Sequence, residues 1–348
     1  MEKLILIDGN SLLNRAFYAM APFTTREGLP TNGIFGFIKL MFRILEDEKP
    51  EYFVVTFDVH APTFRHKIYN QYKGTRKPMP EELVVQVPVL KDLLRAMDIC
   101  IMEKAGYEAD DLIGTIARRF PEVETLIYTG DHDSYQLIDA HTSVCITKRG
   151  VTDIDRMTQD NFYEKEGITP SQVIELKALM GDNSDNIPGV KGIGPKSALS
   201  LLAKYHNLDG VYSHLDDLSK NVRQKLELGR DSAYLSRTLA TIDTCVPLDL
   251  TLGDCILHLP YSENARKAFS NLEFRSLLGS KFFPSSKNKH TDLIECSDTI
   301  LGSLTERAQT VNEYSLTVET DGIHYYDGDS EDLLRIKQNF LEPGFLLS

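Results

Sequence analysis

The amino-acid sequence predicts an α/β protein: a mostly parallel central sheet flanked by helices, then a helical region and a short C-terminal α/β tail. Three observations lead there. Short, continuously apolar runs alternate with stretches of helical period, the pattern of strands joined by crossover helices. Three of those runs stop at an aspartate. Beyond residue 153 the strand signal gives way to helices interrupted by one glycine-rich turn.

Leu4-Ile5-Leu6-Ile7 is the first run and reads as a buried strand stopping at a loop, Asp8-Gly9-Asn10-Ser11. Residues 33–47 then follow a helical period, and Tyr52-Phe53-Val54-Val55-Thr56-Phe57 repeats the strand design, ending at Asp58. A helical stretch over 81–97 leads to the third strand, Asp98-Ile99-Cys100-Ile101-Met102, and another over 109–119 leads to the fourth, Thr125-Leu126-Ile127-Tyr128-Thr129. That strand runs into Gly130-Asp131-His132-Asp133, and Ser143-Val144-Cys145-Ile146-Thr147 is the fifth. Continuous apolar runs fit strands buried on both faces. One aspartate after a strand is ordinary turn chemistry. Three at matching positions converge, because ligands of open α/β sheets collect beyond the carboxyl ends of the strands.

Composition is that of an ordinary globular chain, long enough for one large domain or two smaller ones. No apolar run approaches the roughly 20 residues of a membrane span, and the first residues lack the features of a signal peptide. Cysteines 100, 145, 245, 255 and 296 are widely spaced with no Cys-x-x-Cys, which suits reduced structural thiols in a cytoplasmic protein. The net charge of −13 argues against a nucleic-acid binder until its distribution is considered. Setting aside one clustered acidic site leaves the remainder close to balance.

Two stretches supply that cluster. Gly106-Tyr107-Glu108-Ala109-Asp110-Asp111 puts three carboxylates at the start of a predicted helix. Acids there suit the helix dipole, yet three so close repel one another unless a cation sits among them. Gly181-Asp182-Asn183-Ser184-Asp185-Asn186 offers two carboxylates three residues apart, one face of a helical turn. Directly after it, Ile187-Pro188-Gly189-Val190-Lys191-Gly192-Ile193-Gly194-Pro195-Lys196-Ser197 carries a Gly-x-Gly that lets backbone N–H groups approach a phosphate. A helix beginning at Pro195 would aim its positive end at the same phosphate. A metal site beside a phosphate cradle points to phosphodiester cleavage.

From His60 to Pro80 there is no acid, while Arg65, Lys67, Lys73, Arg76 and Lys77 are basic and Phe64, Tyr69 and Tyr72 lie among them. Charges interleaved with aromatics next to Asp58 fit a strand-binding arch. Thr31-Asn32-Gly33 reads equally as a turn touching duplex backbone or as a helix cap.

These motifs, in this order, resemble the structure-specific 5′ nucleases, the flap endonuclease family, in the branch found at the N-terminus of bacterial DNA polymerase I. The likeness covers roughly residues 3–285 and includes Leu6-Ile7-Asp8-Gly9, Phe64-Arg65-His66 and Tyr72-Lys73-Gly74 beside the acidic stretches. It implies a PIN-like nuclease fold with a helix–three-turn–helix subdomain. It implies nine metal-site acids, all present: Asp8, Asp58, Glu108, Asp110, Asp111, Asp131, Asp133, Asp182 and Asp185. Oxygen-only ligands select Mg²⁺ or Mn²⁺ over zinc, and the resemblance implies two such ions. By the resemblance Asp8, Asp58 and Asp110 hold the first, and Asp131, Asp133 and Asp185, with Asp110 shared, the second; Glu108, Asp111 and Asp182 act through water. Catalysis is expected of Lys73, Arg76 and Asp110, and DNA contact of Arg65, Lys73, Arg76, Lys77, Lys191, Gly192, Gly194, Lys196 and Ser197, with K⁺ at the turn.

The expected organisation is a catalytic core over 1–170 with an arch near 60–80, a helical DNA-binding region over 171–284, a linker at 285–290, and a tail over 291–348. Tyr314 to Asp321 resembles the opening strand of a 3′–5′ exonuclease-like domain, but Glu319-x-Asp321 reverses the proofreading Asp-x-Glu order, so the tail is expected to be incomplete. Expected partners are DNA with 5′ flaps, nicks or RNA primers, and a polymerase linked in a longer parent chain. A monomer acting at the bacterial nucleoid, away from membranes, completes the expectation; polymerisation by this chain is not part of it. A toxin-like ribonuclease would lack the Gly-Ile-Gly clamp, a catalytically dead DNA-binding module would lack several acids, and a haloacid-dehalogenase-type phosphatase needs its Asp-x-Asp on the first strand.

Overall fold

The computed structural model describes residues 2–147 and 154–283, together with the strands Tyr314–Glu319 and Gly322–Asp327. In chain order the elements are β1 (Lys3–Asp8), α1 (Gly9–Ala19), α2 (Asn32–Glu48), β2 (Tyr52–Thr56), α3 (Phe64–Ile68), α4 (Glu81–Val84), α5 (Gln86–Ala96), β3 (Cys100–Met102), α6 (Ala109–Arg119), β4 (Glu124–Thr129), β5 (Thr142–Thr147) and β6 (Ile154–Met157). Then come α7 (Gln159–Glu166), α8 (Gln172–Met180), α9 (Pro195–Tyr205), α10 (Leu208–Ser213), α11 (Lys220–Leu228), α12 (Arg230–Ala240), α13 (Glu263–Asn271) and α14 (Arg275–Leu278).

The sheet order is β3-β2-β1-β4-β5-β6. The first five strands run parallel and β6 pairs antiparallel with β5. β6 is a short, partly polar edge strand with no apolar run to announce it. Strand order reverses between β1 and β4, so their carboxyl ends frame the switch point where open sheets place their ligands. Leu4 and Leu6 pack with Ile113 and Ile116 of α6, while Ile5 and Ile7, also fully buried, take the opposite face by strand alternation. Helices therefore cover both sides.

Two local expectations change. The polar run after β1 is no loop: Asp8 accepts from Ser11 N–H at 2.9 Å, caps α1, and the chain enters the helix at Gly9. The helix expected over 81–97 is two, because Pro88 has no N–H to offer the Val84 carbonyl.

Helices α8, α9, α10, α11 and α12 share a second core built on Leu179, Val190, Leu202, Leu208, Leu226 and Ala233. A strap after α12 stitches this part to the sheet. Val246 N–H donates to Thr115 Oγ1, the Leu248 and Leu250 carbonyls accept from Arg119, and Leu257 N–H donates to the Glu51 carbonyl. Met1–Ser280 forms one unit and Lys281–Ser348 another. In the second, Tyr314–Glu319 pairs antiparallel with Gly322–Asp327, Tyr314 opposite Asp327. The predicted linker at 285–290, Asp321 and the rest of the tail lie outside the described residues.

Candidate active site

A cleft of about 460 Å³ opens at the switch point, walled by Asp8, Asp58, Glu108, Asp110 and Asp131, with Lys73 and Arg76 on its rim. Each acid has a local reason for its place. Asp8 ends β1, and its second oxygen accepts from Thr129 Oγ1 at 2.9 Å. Asp58 follows β2 and accepts the Ala109 N–H at 2.8 Å, so the first turn of α6 fixes it. Glu108 caps α6, and Asp131 caps the 3₁₀ turn His132–Leu137 by accepting the Asp133 N–H at 2.9 Å.

The electrostatics of the cleft are those of crowded, desolvated carboxylates. Burial, and after it the charge of Asp58, pushes the Asp8 carboxyl up to about 7. Burial and Asp131 push Asp133 up to about 7 as well. Asp110 is driven well above the ordinary carboxylate range by burial and then by Asp8 and Asp131. Its Oδ1 is buried without a hydrogen-bond partner, an arrangement that costs free energy unless a cation meets it. Oxygen-only donors and one unsatisfied buried carboxylate fit a hard divalent ion. Among the described residues no three acid, histidine or cysteine side chains form a ready-made cage. Protein cations stand between the acids instead.

Lys177, a polar residue among the apolar positions of α8 that no local signal marks as part of the site, reaches both Asp133 and Asp182. Burial opposes the charge on Asp182, but Lys177 and Ser184 hold its carboxyl down to about 2. Asp185 is buried and takes Arg76 at 2.5 Å and the Tyr72 hydroxyl at 3.2 Å. The Tyr72 hydroxyl lies 3.1 Å from Glu108 as well, so its one proton is shared between the two carboxylates, and Lys73 Nζ lies 2.9 Å from the Glu108 carboxylate. Tyr72 is thus an internal bridge between acids rather than a platform for bases.

Arg65 and Asp111 lie inside the protein rather than at the cleft. The DNA contact expected of Arg65 fails because the side chain is only 3 % exposed, paired with Asp111, which is 0 % exposed. Asp111 therefore faces the interior, away from the cleft where its metal role was expected. Of the Thr31-Asn32-Gly33 alternatives, the structure takes the buried cap: Thr31 and Asn32 are covered, and Gln86 Oε1 accepts the Ile34 N–H at 3.1 Å. Lys77, Lys191, Gly192, Gly194, Lys196 and Ser197 all lie exposed, the last five around the turn and the first residues of α9, which begins at Pro195 as expected.

Residues 3–167 match the family described as 5′-3′ exonuclease, N-terminal resolvase-like domain, and residues 168–263 that described as 5′-3′ exonuclease, C-terminal SAM fold. The chain belongs to the 5′–3′ exonuclease family. It is 42% identical over 265 residues to a 5′-3′ exonuclease of Mycoplasma pneumoniae, covering 74% of this chain and 90% of that one. It is 44% identical over 280 residues to DNA polymerase I of Caldicellulosiruptor bescii, covering 79% of this chain and 33% of the relative. The chain thus spans about a third of the length of such DNA polymerase I relatives. The fold is also that of the bacteriophage T5 D15 flap endonuclease, solved with DNA and metal ions, at TM-score 0.58 and 20% identity over 78% of this chain and all of that one.

Proposed function

We propose that this chain is a divalent-metal-dependent 5′ nuclease that hydrolyses phosphodiesters at 5′ flaps and nicks and so removes primers during DNA replication and repair. The observation that carries the reading is the convergence of Asp8, Asp58, Asp110 and Asp131 on one cleft rimmed by Lys73 and Arg76. Membership of the exonuclease family and the T5 relative's DNA and metal ions support it.

Asp8, Asp58 and Asp110 are assigned to one Mg²⁺ or Mn²⁺ ion and Asp131, Asp133 and Asp185 to a second, with Glu108 and Asp182 acting through water. Divalent ions held there supply positive charge against the phosphate and lower the pKa of an attacking water. The side chains do the rest. Lys73 and Arg76 neutralise charge growing on the phosphate, and the Asp185 and Glu108 carboxylates hold those cations in register. Lys191, Gly192, Gly194, Lys196 and Ser197 grip duplex backbone without reading bases. A K⁺ ion at this turn fits less well, because the Gly192 carbonyl already accepts from Lys225 Nζ at 3.1 Å. A monomer in the bacterial cytoplasm, joined to a polymerase in a longer parent chain, completes the proposal.

Asp110→Ala tests the reading. It should abolish cleavage of a 5′-labelled flap duplex in Mg²⁺ while leaving binding of the same duplex in EDTA close to wild type. Cleavage retained above about a tenth of the wild-type rate, less than about 1.4 kcal/mol of lost transition-state stabilisation, would remove Asp110 from the mechanism.

A further inference from the structure

Besides the side-chain contacts of Arg76 and Tyr72 with Asp185, the loop that carries the cations and the turn that carries the acids are joined through backbone groups by two hydrogen bonds, one residue apart on the acidic turn. Asn186 Nδ2 donates to the Gln71 carbonyl at 2.7 Å, and Lys73 N–H donates to the Asp185 carbonyl at 2.8 Å. The turn itself is closed by Asp182 and Ile187, whose N–H groups donate to each other's carbonyls at 2.9 and 2.7 Å. Both Asn186 and Lys73 sit in the left-handed region, φ 55° each. Asparagine tolerates that conformation better than most side chains. A donor is also required, because an aspartate would set a carboxylate against the Gln71 carbonyl.

The consequence concerns Lys73 and Arg76. Their charged ends are fixed by Glu108 and Asp185, while the backbone leading to them is tied at Gln71 by Asn186 and at Lys73 by the Asp185 carbonyl, and the Arg76 N–H donates in turn to the Lys73 carbonyl at 3.0 Å. A displacement of about 1 Å at a catalytic group is enough to cost a large factor in rate. We propose that Asn186 is a positioning residue: its amide locks residues 71–73 onto the acidic turn and thereby sets where Lys73 and Arg76 meet the scissile phosphate. This rests on the nuclease reading for what the two cations meet. The clasp itself does not.

Two variants of the full chain separate these. Asn186→Asp keeps the size and left-handed tolerance but loses the donor; Asn186→Gly keeps the backbone freedom and loses the side chain. Both should lower single-turnover cleavage of a 5′ flap duplex by about tenfold or more. Affinity for that duplex in EDTA should stay within about threefold, since no phosphate contact is removed. Without DNA, both should speed tryptic cleavage after Lys73 and Arg76 at unchanged Tm. A purely structural role would lower Tm and leave the relative tryptic rate at these two bonds unmoved, which overturns the proposal. Wild-type single-turnover rates in Asn186→Asp overturn it as well. If one variant does not fold, the other decides. A wild-type chain that leaves the flap uncut sinks the nuclease reading, and the tryptic comparison still decides the clasp.

Discussion

Arg65 and Asp111 face each other as a two-pronged pair, with Nη1–Oδ2 and Nη2–Oδ1 both at 2.8 Å, inside the protein. Arg65 also donates to the carbonyls of Leu239 at 2.9 Å and Thr241 at 2.7 Å, so one side chain ties α3, α6 and the end of α12 together. Asp243 N–H donates to Asp111 at 2.8 Å and completes the junction.

Removing one member leaves the other charged and buried. Arg65→Ala is expected to destabilise the fold by about 3–5 kcal/mol, read as a lower urea midpoint. Arg65→Met combined with Asp111→Leu should recover only part of that loss, because it removes the unpaired charge but leaves the Leu239 and Thr241 carbonyls and the Asp243 N–H without partners. Because Arg65 is internal, its loss should leave the salt slope of DNA binding unchanged, whereas Lys196→Ala should lower that slope by about one. A reduced slope in Arg65→Ala with intact stability would contradict the buried assignment.

The cleft carboxyls make stability fall with pH. Asp8 and Asp133 stand at about 7 in the folded chain because burial and neighbouring acids disfavour their ions. Unfolded, they ionise near 4. Between those values the folded state holds protons that the unfolded state releases, so stability declines across this window and the deficit persists above it. In EDTA, Tm should drop from pH 5 to pH 8, and Asp8→Asn should lessen the drop. Added Mg²⁺ should raise Tm more at pH 8 than at pH 5. A larger Mg²⁺ gain at pH 5 would refute the assignment.

Two glycines in the turn answer different questions. Gly189 has φ 59°, and a Cβ there would lie 2.2 Å from the Gly181 nitrogen, so Gly189→Ala should cost the fold several kcal/mol, on the order of other strained or overpacked sites. Gly194 is extended at φ −99°, with open space where a Cβ would be, so positive φ plays no part there. Gly194→Val should therefore keep its Tm and lose only duplex affinity at fixed salt. Unchanged affinity would mean that the turn does not hold DNA.

Lys73 should serve rate more than affinity. Burial opposes its charge, but Glu108 and then Asp185 hold its pKa above the ordinary lysine value, so the ammonium stays charged within the cleft. A donor aimed at charge that grows in the transition state is typically worth about 10²–10³ in rate. Lys73→Ala should lose most of its single-turnover rate while Kd moves only a few-fold. A change in Kd and salt slope alone would place Lys73 on a solvated basic face.

Asp8, Asp58 and Asp131 were legible in one dimension because each follows an apolar run, and parallel strands bring equivalent positions to one edge. The glycine-rich turn and the start of α9 were legible because glycine and proline restrict local geometry directly. Asp110 and Asp111 were not separable in the same way. Neighbours on a helix point about 100° apart, so one reaches the cleft and the other the interior, and no local signal says which. Arg65, Tyr72 and Lys177 look like ordinary members of a basic or apolar run, yet their partners are Asp111, Glu108, Asp185, Asp133 and Asp182, many residues away for all but one. Residue type and spacing determined which groups could do this chemistry. Which carboxylates open to the cleft and which are matched internally by a cation was decided by packing, because burial and charge pairing depend on neighbours that only the folded chain brings together.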